Sequence, residues 1–198
     1  MPMLHYFILY KPFEVLSQFS REGEKRTLKD CCDLPVDVYP VGRLDYDSEG
    51  LLFLTNDKAM NAALLHPSRA HTRTYLVQVE GAITDTALHA LETGVDIMLN
   101  GVAYRTRPAK ATLVKEEPAL PARFPPIRFR KNVPTSWIAL TLTEGKNRQV
   151  RRMTAKVGFP TLRLVRYRIG QLSADGWTSG ELRSYTKKEI QALLFTQP

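Results

Sequence analysis

Residues 41–57, VGRLDYDSEGLLFLTND, place three carboxylates, Asp45, Asp47 and Glu49, directly before and at the start of an apolar run. A carboxylate at the mouth of a buried strand can act as nucleophile, general base or cation ligand. The spacing partly suits a calcium loop, which asks for oxygen ligands at its first, third and fifth positions and glycine at its sixth; Asp45, Asp47, Glu49 and Gly50 supply these. The twelfth position is Asn56 instead of a bidentate glutamate, however, and the flanks are YPVGR and a strand-like run instead of helices, so the pattern argues against calcium. Taken alone, the stretch reads first as a solvated turn feeding a strand.

A second stretch, NRQVRRMTAKVG, changes that balance. Val150, Met153 and Val157 recur at helical spacing and would face a core, whereas Arg148, Arg151 and Arg152 cluster on another side. Three neighbouring guanidiniums repel one another and need carboxylate or phosphate close by, either of which a planar guanidinium binds bidentately. One arginine can pair with a partly buried aspartate while the others meet RNA. The charge distribution supports a phosphate partner: Arg123 to Arg168 contains twelve Lys and Arg but one acid, Glu144, within a chain of net charge +8.

The surrounding pattern indicates how such groups are positioned. YFILYK and EVLSQF read as short strands around the turn residue Pro12, TLKDCC as one helical turn, and LLFLT as a buried strand. Asp57 is placed to cap a helix over KAMNAALLH that Pro67 would end. TYLVQVEG alternates Tyr75, Val77 and Val79 against Gln78 and Glu80, and Thr84 to Gly94 bounds a further helix. Five prolines make 115–135 a basic extended loop; SWIALTLTE is a strand, and Asn147 is placed to cap the arginine-bearing helix that Gly158 and Pro160 stop. TLRLVRYRIG alternates Leu162, Leu164 and Arg166 with Arg163, Val165 and Tyr167, and Thr186 with Glu189 forms a capping box for a last helix. Strands and helices mix without steady βαβ alternation, which predicts an α+β fold with largely antiparallel sheets, in one domain spanning 1–198.

Composition narrows the function classes. No apolar run is long enough to span a membrane, and MPMLHYFILYKPFEV lacks the features of a secretion signal, so a cytoplasmic protein is expected. Cys31 and Cys32 are adjacent and have no other cysteine to pair with, which fits a reducing compartment. The four histidines show no zinc-ligand spacing, so no metal is expected. A non-catalytic RNA-binding factor would need only the basic block, and a metal-dependent nuclease would need further ligands near the DYDSE carboxylates.

GRLDYDSEGLLFLTND, RTYLVQVEG and EGKNRQVRRM, followed by LRLVRYRIG, resemble the successive motifs of the RsuA-type pseudouridine synthases, in order and across nearly the whole chain. The resemblance implies a pseudouridine synthase fold, a central mostly antiparallel mixed sheet flanked by helices with a cleft between two subdomains sharing it. It implies that Asp45 is the catalytic aspartate, that Tyr75 packs on the target base, that Arg151 pairs with the aspartate and that Leu164 lines an apolar pocket. Arg43 is expected at the RNA interface, filling space left by an extruded base, and Arg73 retains the charge of a lysine common at that position. Arg128, Arg130, Lys146, Arg148, Arg152 and Arg166 are expected to contact RNA. Most members carry an S4-like RNA-binding domain before the YKP segment; its absence is expected here, a layout similar to the member acting on 23S rRNA. No cofactor is implied, because the substrate supplies every atom of the product, and a monomer is expected.

Overall fold

The computed structural model of the protein describes residues 3–66, 71–128 and 130–195. The chain enters through β1 (Tyr6–Lys11), turns at Pro12 and continues as β2 (Val15–Leu16), which pairs in parallel with β3 (Arg26–Thr27). A 3-10 turn over Leu28–Asp30 follows, where one helical turn is expected. β4 (Tyr39–Pro40) and β5 (Glu49–Thr55) are antiparallel, and the loop between them carries Asp45 and Asp47. α1 (Lys58–Leu65) is capped by Asp57, whose carboxylate accepts from the Ala59 and Met60 amides; Pro67 lies outside the described residues.

Then come β6 (Arg73–Glu80), α2 (Asp85–Thr93), β7 (Asp96–Leu99), β8 (Val102–Arg105) and β9 (Lys110–Val114). The sequence reading assigns no element to 95–114, although Asn100 and Gly101 carry its signal. Both take positive φ, 49° and 81°, the left-handed pair that a two-residue hairpin between β7 and β8 requires. After a segment whose described residues form no helix or strand, the chain forms β10 (Thr135–Leu142), α3 (Gln149–Lys156), β11 (Thr161–Ile169), β12 (Leu172–Ser173), β13 (Leu182–Ser184) and α4 (Lys187–Phe195). Thr186 and Glu189 exchange the bonds of the expected capping box.

The main sheet runs β13-β1-β5-β11-β6-β10-β9, with β4 added to β5 and β12 to β11. All its pairings are antiparallel except β5 with β11, so the fold is mixed α+β. Strand alternation builds two cores. On one side Tyr75, Val77 and Val79 join Leu52, Ile138 and Leu140 under Leu91 of α2 and Met153 of α3. On the other, Ile8, Tyr10, Leu51, Phe53 and Val165 pack against Met60 of α1 and Ile190 of α4.

Gly50 is dictated by a close approach. Its φ is +105°, and a Cβ there would lie 2.4 Å from the Arg166 carbonyl oxygen, so only glycine lets β5 meet β11 at this point. The start of β5, directly behind the aspartate loop, is thereby tied to the strand that carries Leu164 and Arg166.

Candidate active site

The position of Asp45 is set from behind. Lys11, fully buried, donates from Nζ to the Pro12 and Val15 carbonyls at 2.8 and 2.7 Å and fixes the turn after β1; burial pushes its ammonium pKa down to about 7. Two residues beyond Val15, the Ser17 hydroxyl grips both backbone groups of Leu44, donating to its carbonyl at 2.8 Å and accepting from its N–H at 3.1 Å. On the other side a tight turn closes, the Ser48 N–H donating to the Asp45 carbonyl at 3.0 Å. Held at both ends, the Asp45 side chain opens into a cleft of about 740 Å³.

The three acids have separate partners. Arg148 binds Asp47 bidentately, its Nη1 and Nη2 donating at 2.9 and 2.8 Å. Arg151 stands behind it, donating from Nη2 to the Asp47 carbonyl at 2.5 Å with Nε 3.3 Å from the carboxylate. Arg163 binds Glu49 bidentately at 2.9 and 2.7 Å. The pairing expected for Arg151 therefore falls on Asp47 and not on Asp45, because the turn between them aims their side chains differently. The nearest cation to Asp45 is Arg148 Nη1, at 3.8 Å, and no described residue donates a hydrogen bond to its carboxylate. Burial raises the pKa of Asp47, but the Arg148 hydrogen bonds and both arginine charges outweigh it and hold the carboxyl below its usual range. The same bonds push Arg148 up, whereas burial pushes Arg151 down.

Expected and observed caps of α3 differ. Asn147 does not cap the helix; Arg148 occupies that position with left-handed φ 50°, ψ 31° and no side-chain cap. That backbone, uncommon outside glycine, turns the Arg148 side chain toward Asp47.

Tyr75 and Leu164, both nearly buried, line the cleft beside Asp45. Arg166 is also buried; it donates from Nε to the Leu51 carbonyl at 2.7 Å and stands opposite Tyr75 across β6 and β11. It lies in the wall of the same cleft as Asp45. Arg43, Arg73, Lys146 and Arg148 also line the cleft and leave it cationic.

The far wall was not foreseen. Glu144, the one acid in the basic block, is buried and accepts from the Tyr104 hydroxyl at 2.5 Å, the Arg107 amide at 2.9 Å and Gln149 Nε2 at 2.6 Å. Gln149 in turn accepts from the Lys146 amide at 2.9 Å, and the Lys146 ammonium lies 5.1 Å from the centre of the Tyr104 ring. A lone acid among twelve cations is the sequence signal for this knot.

The remaining predicted cations lie elsewhere. Arg152 turns away from Arg148 and donates to the Met98 and Asn147 carbonyls. Arg128 and Arg130 line a second cavity of about 710 Å³ with Gln78, Glu80 and Trp137. Since Gln78 and Glu80 alternate with Tyr75 and Val77 along β6, this cavity opens on the sheet face opposite the tyrosine. Among the described residues, no group of three or more His, Cys, Asp or Glu side chains could hold a metal ion, and no helix is long and apolar enough to cross a membrane.

A carboxylate without a hydrogen-bond donor, set in a cationic cleft beside a buried tyrosine, suits chemistry on one extruded nucleoside of an RNA. Residues 5–156 match the RNA pseudouridylate synthase family, and the chain belongs to it. It is 48% identical over 185 residues to the ribosomal large subunit pseudouridine synthase E of Vibrio parahaemolyticus, covering 93% of this chain and 73% of that one. Its identity to the synthase E of Xanthomonas axonopodis pv. citri is 52% over 170 residues, covering 85% of this chain and 87% of the relative. A crystal structure of a pseudouridylate synthase matches with a TM-score of 0.77 at 27% identity, over 98% of this chain and 75% of that one.

Proposed function

We propose that the protein isomerises a specific uridine of 23S rRNA to pseudouridine, with Asp45 as the reacting carboxylate. The observation that carries this reading is the placement of Asp45, fixed through Leu44 and Ser48 and opening beside Tyr75 and Leu164. The names of the relatives support the substrate class.

The reaction breaks the carbon–nitrogen glycosidic bond, rotates the base and rejoins it through carbon, with no atom gained or lost. The sugar carbon becomes oxocarbenium-like as the base departs, and a carboxylate beside it can add to it or stabilise it. Proton abstraction by Asp45 is the alternative route. Tyr75 offers an aromatic face to the extruded base, offsetting the cost of leaving the stack. Arg43, Arg73 and Lys146 meet the phosphates around the target, while Arg128 and Arg130 form a second contact on the opposite face. The enzyme works as a cytoplasmic monomer without metal or cofactor.

The test is to incubate wild-type protein and Asp45→Asn with 23S rRNA and map pseudouridine by chemical stops. A new site with wild type and none with Asp45→Asn is expected, with RNA affinity retained; turnover near the wild-type rate in the variant would refute the assignment.

A further inference from the structure

Asp47 is the most heavily engaged of the three acids in the cleft loop, yet nothing in the reaction requires a second carboxylate. Its side chain takes both nitrogens of the Arg148 fork, and its carbonyl takes Arg151. The same Arg148 Nη1 that lies 2.9 Å from Asp47 lies 3.8 Å from Asp45. Two carboxylates thus compete for one guanidinium, and Asp47 holds it. Arg148 is committed to this arrangement by its own backbone, left-handed at the start of α3.

We infer that Asp47 is a positioning residue for the isomerisation: it holds Arg148 in its own bidentate pair and so leaves the Asp45 oxygens free of a bidentate hydrogen bond. A carboxylate locked in a guanidinium fork has its lone pairs occupied and is a poor nucleophile or base. One left with the cation beyond bonding distance keeps its lone pairs available for reaction. The inference rests on Asp45 being the reacting group.

Without the Asp47 charge, the Arg148 fork would close onto Asp45, a movement of about 1 Å to ordinary bonding distance. The test is a double-mutant cycle on the full-length protein, reading single-turnover isomerisation and RNA affinity for wild type, Asp47→Asn, Arg148→Gln and the double variant. Asp47→Asn is expected to slow the single-turnover rate by about 10- to 100-fold with RNA affinity changed by less than about threefold. In the Arg148→Gln background the same substitution is expected to cost less than about threefold, because no fork remains to close.

Equal penalties in the two backgrounds, or an unchanged rate in folded Asp47→Asn, would overturn the inference and leave the function intact. Arg148→Gln alone provides a readout independent of whether Asp47→Asn folds. At saturating RNA, which offsets any lost phosphate contact of Arg148 in the cleft, its single-turnover rate is expected to fall less than that of Asp47→Asn. A loss as large as that of Asp45→Asn would show that Arg148 bonds Asp45 during reaction, against the inference. Wild-type protein that forms no pseudouridine would instead overturn the functional reading and this inference together.

Discussion

Asp47 and Glu49 are two residues apart, and each is held bidentately by an arginine, Asp47 end-on through Nη1 and Nη2 and Glu49 side-on through Nε and Nη2, yet the two pairs sit in different solvents. In the Glu49–Arg163 pair the side chains are 3% and 11% exposed; in the Asp47–Arg148 pair they are 32% and 41% exposed. Glu49 is the first residue of β5, and strand alternation sends it to the face where Arg163 also donates to the Pro121 carbonyl. Asp47 precedes the strand and stays with the cleft. The difference teaches that one kind of contact, a bidentate arginine–carboxylate pair, serves two ends. The buried pair joins β5, β11 and the proline-rich segment, whereas the exposed pair can be rearranged at small cost and so can tune a neighbour.

The largest contrast should come from the acid that neither pair involves. Asp45→Asn should lower isomerisation by at least about 10³-fold with little change in the melting temperature, measured by single-turnover assay and thermal denaturation. Glu49→Gln should do the reverse. It leaves Arg163 buried without its counter-charge, costing about 3–5 kcal/mol and roughly 10 °C in melting temperature, with near-normal turnover per folded molecule. Equal stabilities for Glu49→Gln and Asp47→Asn would break the comparison.

A smaller effect is expected on the face opposite Tyr75. Reversing Arg128 and Arg130 to Glu should raise the KM for RNA and flatten its salt dependence by about one unit of slope per cation, with single-turnover rates at saturating RNA unchanged. An unchanged slope would mean that this face does not touch the RNA.

The smallest effect concerns acid stability. The Asp47 carboxyl is held below its usual range in the folded protein, so between its folded and unfolded pKa values the unfolded chain binds more protons. Its contribution is fully present above the unfolded value of about 4 and is lost as pH falls through the lower folded value. Asp47→Asn should therefore cost less than about 1 kcal/mol at pH 7, with the difference from wild type narrowing as pH falls below the unfolded carboxyl value, in urea titrations at neutral and acid pH.

The elements best read from the chain were those with a local signature: the alternation in RTYLVQVE, the Asp57 and Thr84 caps, and the Thr186–Glu189 box each act within a few residues. The α3 start was misread because Asn147 is a good cap by type, while the conformation there is decided by Arg148 reaching a carboxylate 101 residues away in sequence. The burial of Arg166 was not legible for a related reason: cationic composition predicts a surface, but its β11 position sets it opposite Tyr75 in the wall of the cleft.

By itself the sequence determined the periodicities, the basic block and the candidate Asp45. It could not decide which arginine meets which acid. Asp45, Asp47 and Glu49 look alike in one dimension, and only the turn at Asp45–Ser48, the alternation of β5 and the docking of α3 and β11 sort them into a free carboxylate, an exposed pair and a buried pair. The physical reason is that ion pairing depends on distance and burial, and both are properties of contacts made across the chain and not along it.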